Sequence, residues 1–337
     1  MQQTAPVTPD LLWDTMTAYQ RSEALKAAVD LEVFTKIGEG NKIARAISEA
    51  TDASERGIRI LCDTLTVMGF LTKENDEYGL TDSTAAFLDK NSPMYLGAAL
   101  DFIMSEKLKD GFESLTDAVR TGGSVVREEG SIDPESPMWV KFARGMVGFA
   151  MPSAQGIAAH LGFEPDRKLK VLDIAAGHGI FGIAIAQAFP NSEIYALDWA
   201  NVLRVASEHA EKFGVADRHH LIEGSAFDVD FGDGYDVVLV TNFLHHFDAE
   251  TNTNFLRKVH RSLADGGRVF TLEFVPNDDR VSPPPQAMFS LVMLAGTPAG
   301  DAYTSGELNV MFEAAGFSQT QMIPLAPMPQ HLLISMK

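Results

Sequence analysis

Val171-Leu-Asp-Ile-Ala-Ala-Gly-His-Gly-Ile-Phe-Gly182 is the stretch on which the fold turns. An apolar run ends in a turn of small residues and passes into a helix-length segment. A second apolar run, Glu193-Ile-Tyr-Ala-Leu-Asp198, then closes on an acid. Strand, turn, helix and strand in that order make the first half of a nucleotide-binding α/β sheet. Gly177 and Gly179 let backbone come close to a ligand. Asp198, at the end of the second strand, is placed to accept hydrogen bonds from ribose hydroxyls. The pattern implies a cofactor that contains adenosine.

Two such cofactors compete. Gly177-His-Gly-Ile-Phe-Gly182 satisfies the G-x-G-x-x-G spelling of a nicotinamide site, with Asp198 a little under the usual distance downstream. Asp173 favours S-adenosylmethionine (SAM). It sits inside the strand where a dinucleotide fold wants an apolar residue, and a carboxylate there repels a pyrophosphate but suits an ammonium and a sulfonium. No Lys or Arg lies between Val171 and Leu203 to offset it. A helix N-terminus alone can hold a pyrophosphate, so a nicotinamide-dependent dehydrogenase stays open at this point, as does a glycine turn with no ligand.

Composition narrows the partners. Acids outnumber bases 46 to 27, a formal charge of -19. Such a surface repels nucleic-acid phosphates and anionic membranes, and favours a neutral or cationic small molecule. With 337 residues and a hydrophobic fraction of 45%, the chain can fill two ordinary domains. No apolar run is long enough to span a membrane, and the first ten residues lack the basic and apolar regions of a signal peptide. One cysteine, Cys62, excludes an internal disulfide and fits a reducing, cytoplasmic setting.

Ahead of the sheet the chain is mostly helical in pattern. Leu11, Leu12, Met16, Tyr19, Leu25, Ala28 and Val29 recur near helical spacing and predict one helix over 10–37. Helical segments at 43–47 and 55–68 follow, then two short strands around an Asn75-Asp76 turn. That order resembles a winged helix. DNA binding is disfavoured because the second helix offers only Arg56 and Arg59, while the wing carries Glu74, Asp76 and Glu77. Residues 90–160 look helical, broken by Thr121-Gly-Gly-Ser and by the turn-rich Gly130-Ser-Ile-Asp-Pro-Glu-Ser-Pro137. From Met138 to His160 the apolar stripe Trp139, Phe142, Met146, Phe149 and Met151 predicts one helix with an apolar face, suited to core packing or to the wall of a flat apolar pocket.

After the first two strands come strand patterns at 220–224, 235–241, 267–274, 317–323 and 331–335. The expected fold class is therefore α/β: a Rossmann-like sheet of seven strands, parallel but for one antiparallel hairpin at the C-terminus. The fourth strand ends in Thr241-Asn-Phe-Leu-His-His-Phe-Asp248, and the fifth carries Glu273 near its carboxyl end. In open α/β sheets ligands sit at the carboxyl ends of strands. His245 and Glu273 thus fall on one rim, where an imidazole and a carboxylate make a general base and its orienter. Metal binding is the rival reading, but adjacent histidines diverge and only Asp248 stands by to help. No metal is expected, and His246 is read as the structural member of the pair.

The ordered set of motifs resembles the class I, plant-type small-molecule O-methyltransferases and their bacterial relatives, which include caffeic acid, hydroxyindole and polyketide O-methyltransferases. Besides the glycine turn, the resemblance is carried by Leu244-His-His-Phe-Asp-Ala-Glu250, where the family reads Leu-His-Asp-Trp-Ser-Asp-Glu. It continues through Leu263-Ala-Asp-Gly-Gly-Arg-Val and Leu294-Ala-Gly-Thr-Pro-Ala-Gly300 to Ala314-Ala-Gly-Phe317. It implies methyl transfer from SAM, with S-adenosylhomocysteine (SAH) as product, to the hydroxyl of a small aromatic molecule. It also implies a winged-helix dimerisation domain over 1–110, a helical linker over 111–160, a catalytic domain over 161–337, and a homodimer.

Carried over position by position, His245 resembles the general base, with Glu273 and Asp301 as acids near it. Asp173, Ala175, Gly177, Asp198, Trp199, Gly224, Ser225, Ala226, Phe227 and Thr241 fall where the family holds its cofactor. Phe142, Met146, Phe149, Phe289, Val292 and Met293 fall where it lines the acceptor pocket. Departures qualify these roles. The first two turn glycines are Ala175 and Ala176, tolerable if φ stays negative. Ser225 replaces an Asp beside adenine, Thr241 a Lys or Arg, His246 the Asp after the base, and Ala302 the second bracing Glu, with Asp301 and Tyr303 beside it. A homologue that binds SAM without transferring a methyl is the remaining alternative.

Overall fold

The structure, a computed structural model, describes residues 7–126 and 135–337. Its contacts divide the chain into two units, before and after the Leu100–Asp101 junction. In the first unit, α1 (Asp10–Asp30), α2 (Val33–Gly38), α3 (Ala44–Thr51) and α4 (Glu55–Val67) lead into the hairpin β1 (Leu71–Glu74) and β2 (Glu77–Leu80), and then α5 (Asp82–Phe87). The single helix expected over 10–37 is broken at Leu31–Glu32, where Glu32 takes φ +56° and redirects the chain. Both turn residues of the hairpin, Asn75 and Asp76, have positive φ, the requirement of a tight turn matched to strand twist. Ala28, Val33, Phe34, Ile47, Ile58, Cys62, Leu65, Leu71 and Tyr78 make the core. The first half of α1 is different: Leu11, Leu12, Trp13, Met16 and Tyr19 are all at least 60% exposed.

The second unit opens with short helices, α6 (Leu100–Ile103, across the junction), α7 (Glu106–Glu113) and α8 (Leu115–Thr121). Of the loop expected at 130–137, residues 130–134 lie outside the described residues. The helix expected over 138–160 is two, α9 (Pro137–Gly145) and α10 (Val147–Ala159), jointed at Met146 (φ -92°, ψ 0°). The sheet then alternates with helices: β3 (Lys170–Ile174), α11 (Ile180–Ala188), β4 (Glu193–Asp198), α12 (Ala200–Lys212), β5 (His219–Glu223), β6 (Tyr235–Thr241), α13 (Ala249–Ser262), β7 (Leu263–Glu273), α14 (Pro284–Gly296), α15 (Ser305–Ala315), β8 (Ser318–Pro324) and β9 (His331–Met336). Strand order is β5-β4-β3-β6-β7-β9-β8, and only the pairings of β9 are antiparallel, as the strand patterns imply.

Alternation along the strands builds two cores. Val171, Val237 and Leu239 face α10 and α11, while Leu172, Val238 and Val240 face α13 and α15. Both faces are covered, which is why these strands read as predominantly apolar runs. Chain order reverses between β3 and β6, so a crevice opens there at the carboxyl ends of the parallel strands. A methyl at Gly182 would lie 2.6 Å from Ile194 Cγ2, so α11 sits on the sheet as closely as glycine allows.

Candidate active site

The crevice is built on Asp198. Its Oδ2 accepts from the Gly177 N–H at 2.8 Å and its Oδ1 from the Trp199 N–H at 2.7 Å. Gly224 N–H donates to the Asp198 carbonyl at 3.0 Å, and Ala176 N–H to the Leu197 carbonyl at 3.0 Å. Three strand ends are thereby tied into one surface. Gly177 and Gly179 have φ of +58° and +73°, and so has Ala175 a positive value, +51°. The condition of a negative φ at Ala175 is not met: an alanine occupies a left-handed position that favours glycine, at a cost of about 1 kcal/mol. Burial pushes the Asp198 carboxyl up to about 6, partly offset by its two backbone donors.

Asp173 also departs from expectation. It is fully buried in β3, with Oδ2 accepting from the Gly182 N–H at 3.0 Å and Oδ1 without a partner. Burial, with Asp198 nearby, pushes it up to about 8. In the free chain it is therefore largely protonated at neutral pH, not the standing negative charge expected. What it offers is an orphaned buried oxygen, which an ammonium donor would satisfy. That oxygen, the glycine turn at the start of α11 and the Asp198 carboxylate are a fitting set for SAM.

Beyond β5, Ser225 Oγ accepts from the Phe227 N–H at 3.2 Å. Phe227 is 39% exposed and lies on Phe243, Phe247 and Phe255, an aromatic platform open on one face. Sequence reasoning missed its anchor. Lys258 Nζ, from α13, donates to the carbonyls of Ala226, Phe227 and Val229 at 3.0, 2.9 and 2.6 Å. Thr241 is buried at the end of β6, and the next residue, Asn242, turns the chain with φ +52°. Trp199 packs with Trp139, Val140 and Ala143 against α12, a structural contact alongside its backbone bond to Asp198.

Past Asn242 stands the dyad. His245 Nδ1 and Glu273 Oε2 are 2.5 Å apart, the side chains 6% and 4% exposed. Glu273 Oε1 accepts from Phe243 and Leu244 N–H at 3.0 and 2.8 Å. With Oε1 pinned by two amides, Oε2 faces the ring as an acceptor, so Nδ1 carries the hydrogen and Nε2 keeps its lone pair. Asn252 Nδ2 holds the Leu244 and Phe247 carbonyls at 2.8 and 3.1 Å. Asp248 is engaged elsewhere, capping α13 through the Thr251 N–H at 2.9 Å. Among the described residues no group of three or more His, Cys, Asp or Glu is arranged to hold a metal ion.

Aromatic rings surround the dyad. Phe289 meets His245 edge-on at 4.9 Å and stacks on Phe274 at 4.1 Å. His246, whose basicity is pushed well below the usual histidine range by burial and by His245, lies 4.4 Å from His245 and edge-on to Trp139 at 5.7 Å. Trp139 meets Phe142, and Phe142 stacks on His178 at 6.0 Å, beside Gly177. Burial holds His178 neutral, at about 3, with its Nδ1 accepting from the Ile180 N–H. Met293 is buried and Val292 partly so, whereas Met146 marks the joint of α9 and α10 and Phe149 the first turn of α10. Asp301 does not reach the base: its Oδ2 accepts from Arg280 at 3.0 Å, and the same guanidinium binds Glu307. Arg280 engages the Asp301 carboxylate, and Glu273 already fills Nδ1.

A nucleotide crevice beside a buried His–Glu pair is the arrangement of a transferase that acts on small molecules. The chain belongs to the O-methyltransferase family, whose O-methyltransferase domain matches residues 112–318 and whose dimerisation domain matches residues 13–90. It is similar to the 3-hydroxy-5-methyl-1-naphthoate 3-O-methyltransferase of Streptomyces sahachiroi, 27% identical over 94% of this chain and 92% of that protein. Two solved structures resemble it closely. A candidate O-methyltransferase from Nostoc punctiforme is 48% identical with a TM-score of 0.94, over 99% of this chain and 100% of the other. PigF of Serratia with SAH is 26% identical with a TM-score of 0.86, over 98% and 100%. The nicotinamide reading falls with these matches.

Proposed function

We propose that the chain methylates a phenolic hydroxyl of a small aromatic molecule, with His245 as general base and Glu273 as its brace, and with no metal in the chemistry. The methyl donor is SAM, which when bound supplies a methyl group on a sulfonium sulfur. Asp173, Gly177 and Asp198 would hold its amino-acid and ribose ends, and Phe227 its adenine. The observation that carries the reading is the buried 2.5 Å contact of His245 Nδ1 with Glu273, whose other oxygen is pinned by two backbone amides.

That geometry leaves Nε2 as the proton acceptor. Moving a proton from a phenol to an ordinary imidazole before any bond forms is uphill by about 3.5 pKa units, or roughly 5 kcal/mol. His245 avoids much of this by taking the proton while the oxygen gains its methyl, and Glu273 stabilises the imidazolium. Alignment supplies most of the remaining rate. The wall of Phe142, Trp139, His246 and Phe289 favours a flat acceptor, as does the naphthoate in the name of the Streptomyces relative. The exposed apolar half of α1 lies partly within the dimerisation domain and supports a homodimer. Arg59 is paired with Asp63, which speaks against nucleic acid as a partner.

The test is a panel of phenols, aliphatic alcohols, amines and carbon nucleophiles incubated with SAM bearing a deuterated methyl group, with and without EDTA. The expected product is a labelled aryl methyl ether in equal yield under both conditions. Label found only on nitrogen or carbon, or a reaction abolished by EDTA, would overturn the reading.

A further inference from the structure

The second bracing acid of the family is Ala302 here, fully buried, and Asp301 is taken by Arg280. His245 nevertheless needs a fixed aim. The segment 297–303 runs against the backbone of the catalytic residue. A methyl on Gly300 would stand 2.2 Å from the His245 carbonyl oxygen and 3.0 Å from the His246 carbonyl carbon, so only a glycine allows this approach. The Gly300 N–H donates to Thr297 Oγ1 at 2.8 Å, and that hydroxyl donates to the Met293 carbonyl at 2.8 Å. Three residues on, the Tyr303 hydroxyl donates to the Phe247 carbonyl at 2.6 Å.

The strap is held from its other side as well. A methyl on Gly123 would stand 2.0 Å from the Pro298 carbonyl oxygen, and the Ser124 N–H donates to the Thr297 carbonyl at 2.8 Å. Two glycines thus clamp one strap between residues 123–124 and the backbone of His245. Packing this tight leaves no slack into which a neighbour can move.

We propose that the 297–303 strap is the positioning element of His245, with Gly300 and Tyr303 as its positioning residues, in place of a second carboxylate. The proposal rests on the reading of His245 as the base. A second carboxylate would aim the imidazole by charge, whereas the strap fixes the backbone that carries it. It adds no negative charge beside the ring, so Glu273 alone stabilises the imidazolium.

Tyr303→Phe is the informative variant. It keeps the ring and its packing, and the Phe247 carbonyl keeps its bond from Asn252, so no buried group is orphaned. Gly300→Ala is the harsher companion. Misplacement of the base by a fraction of an ångström is expected to lower kcat about 10- to 100-fold. KM for the donor and Kd for SAH should stay within about twofold, since both residues touch the backbone of His245–Phe247 and not the Gly177 turn or Asp198. Action through His245 is read from a double-mutant cycle: in a His245→Gln background, whose residual rate is followed by single turnover, Tyr303→Phe should cause no further loss. A Tyr303→Phe variant at the wild-type kcat, or one that multiplies the loss in the His245→Gln background, would overturn the proposal and leave the base intact. Full activity in His245→Gln itself would overturn both.

Discussion

Glu273→Gln separates shape from charge in the dyad. Glutamine keeps the size of the side chain, and its carbonyl oxygen can still accept from Phe243 and Leu244, now as a neutral acceptor. Its amide nitrogen then faces His245 Nδ1 at the place where a carboxylate oxygen accepts at 2.5 Å. Two donors cannot share that contact, so the imidazole must take the other tautomer, accept at Nδ1 and carry its hydrogen on Nε2. The ring that should remove a proton then presents one. Loss of general-base assistance lowers kcat by roughly 10²–10⁴, equivalent to about 3–5 kcal/mol of barrier. Weaker bonds to the two amides cost roughly 1–3 kcal/mol of stability. The SAH affinity should remain within about twofold of wild type, because Glu273 acts on the acceptor side. The assay is SAH production by mass spectrometry at saturating donor and acceptor, beside calorimetric titration with SAH. A variant within about threefold of the wild-type kcat would refute the tautomer argument.

The cofactor crevice gives three further expectations. Ala175→Gly relieves a left-handed alanine at the cost of a more flexible unfolded chain, so it should stabilise the protein by a few tenths to about 1 kcal/mol in urea unfolding; a loss of stability would contradict the strain. Asp198 titrates at about 6 and accepts best as a carboxylate, so SAH affinity should rise with pH through about 6 and level off above, while Asp198→Asn flattens the profile; affinity constant from pH 5 to 8 would count against its role. Asp173 is raised to about 8 in the fold, so its contribution to stability is complete below about 4 and is lost as pH rises through about 8. Melting of the SAH-free protein should therefore decline more steeply over that range than in Asp173→Asn, and parallel curves would show that Asp173 does not bear the cost.

Much of this molecule is legible in its residues because parallel strands buried on both faces advertise themselves. Val171–Ile174 and Tyr235–Thr241 are apolar runs broken only by Asp173 and Asp236 ahead of Thr241, since each face meets helices. The rim rule then brings His245 and Glu273 together from positions 28 residues apart. What stays hidden is of two kinds. Backbone choices without a breaker residue leave no mark, as at Leu31–Glu32 and at Ala175, where nothing in the spelling announces a positive φ. At Met146 a signal was present, since Gly145 and Gly148 flank the joint. Partner choice between distant side chains is the second kind. Arg280 captures Asp301 from 21 residues away, and Lys258 reaches the Phe227 platform across some thirty. Composition and period carry no information about either. The edge-on contact of Trp139 with His246 is hidden for a similar reason: which side of an apolar stripe meets solvent, core or another ring is decided by tertiary packing.

The measurement that bears most directly on the central claim is the single-turnover rate of methyl transfer to a phenol by His245→Ala, taken beside its affinity for SAH. The account expects SAH affinity within about twofold of wild type and a rate lower by roughly 10²–10⁴. Methyl transfer at the wild-type rate in that variant would contradict the account, because no other described residue pairs a buried imidazole with a pinned carboxylate on this rim.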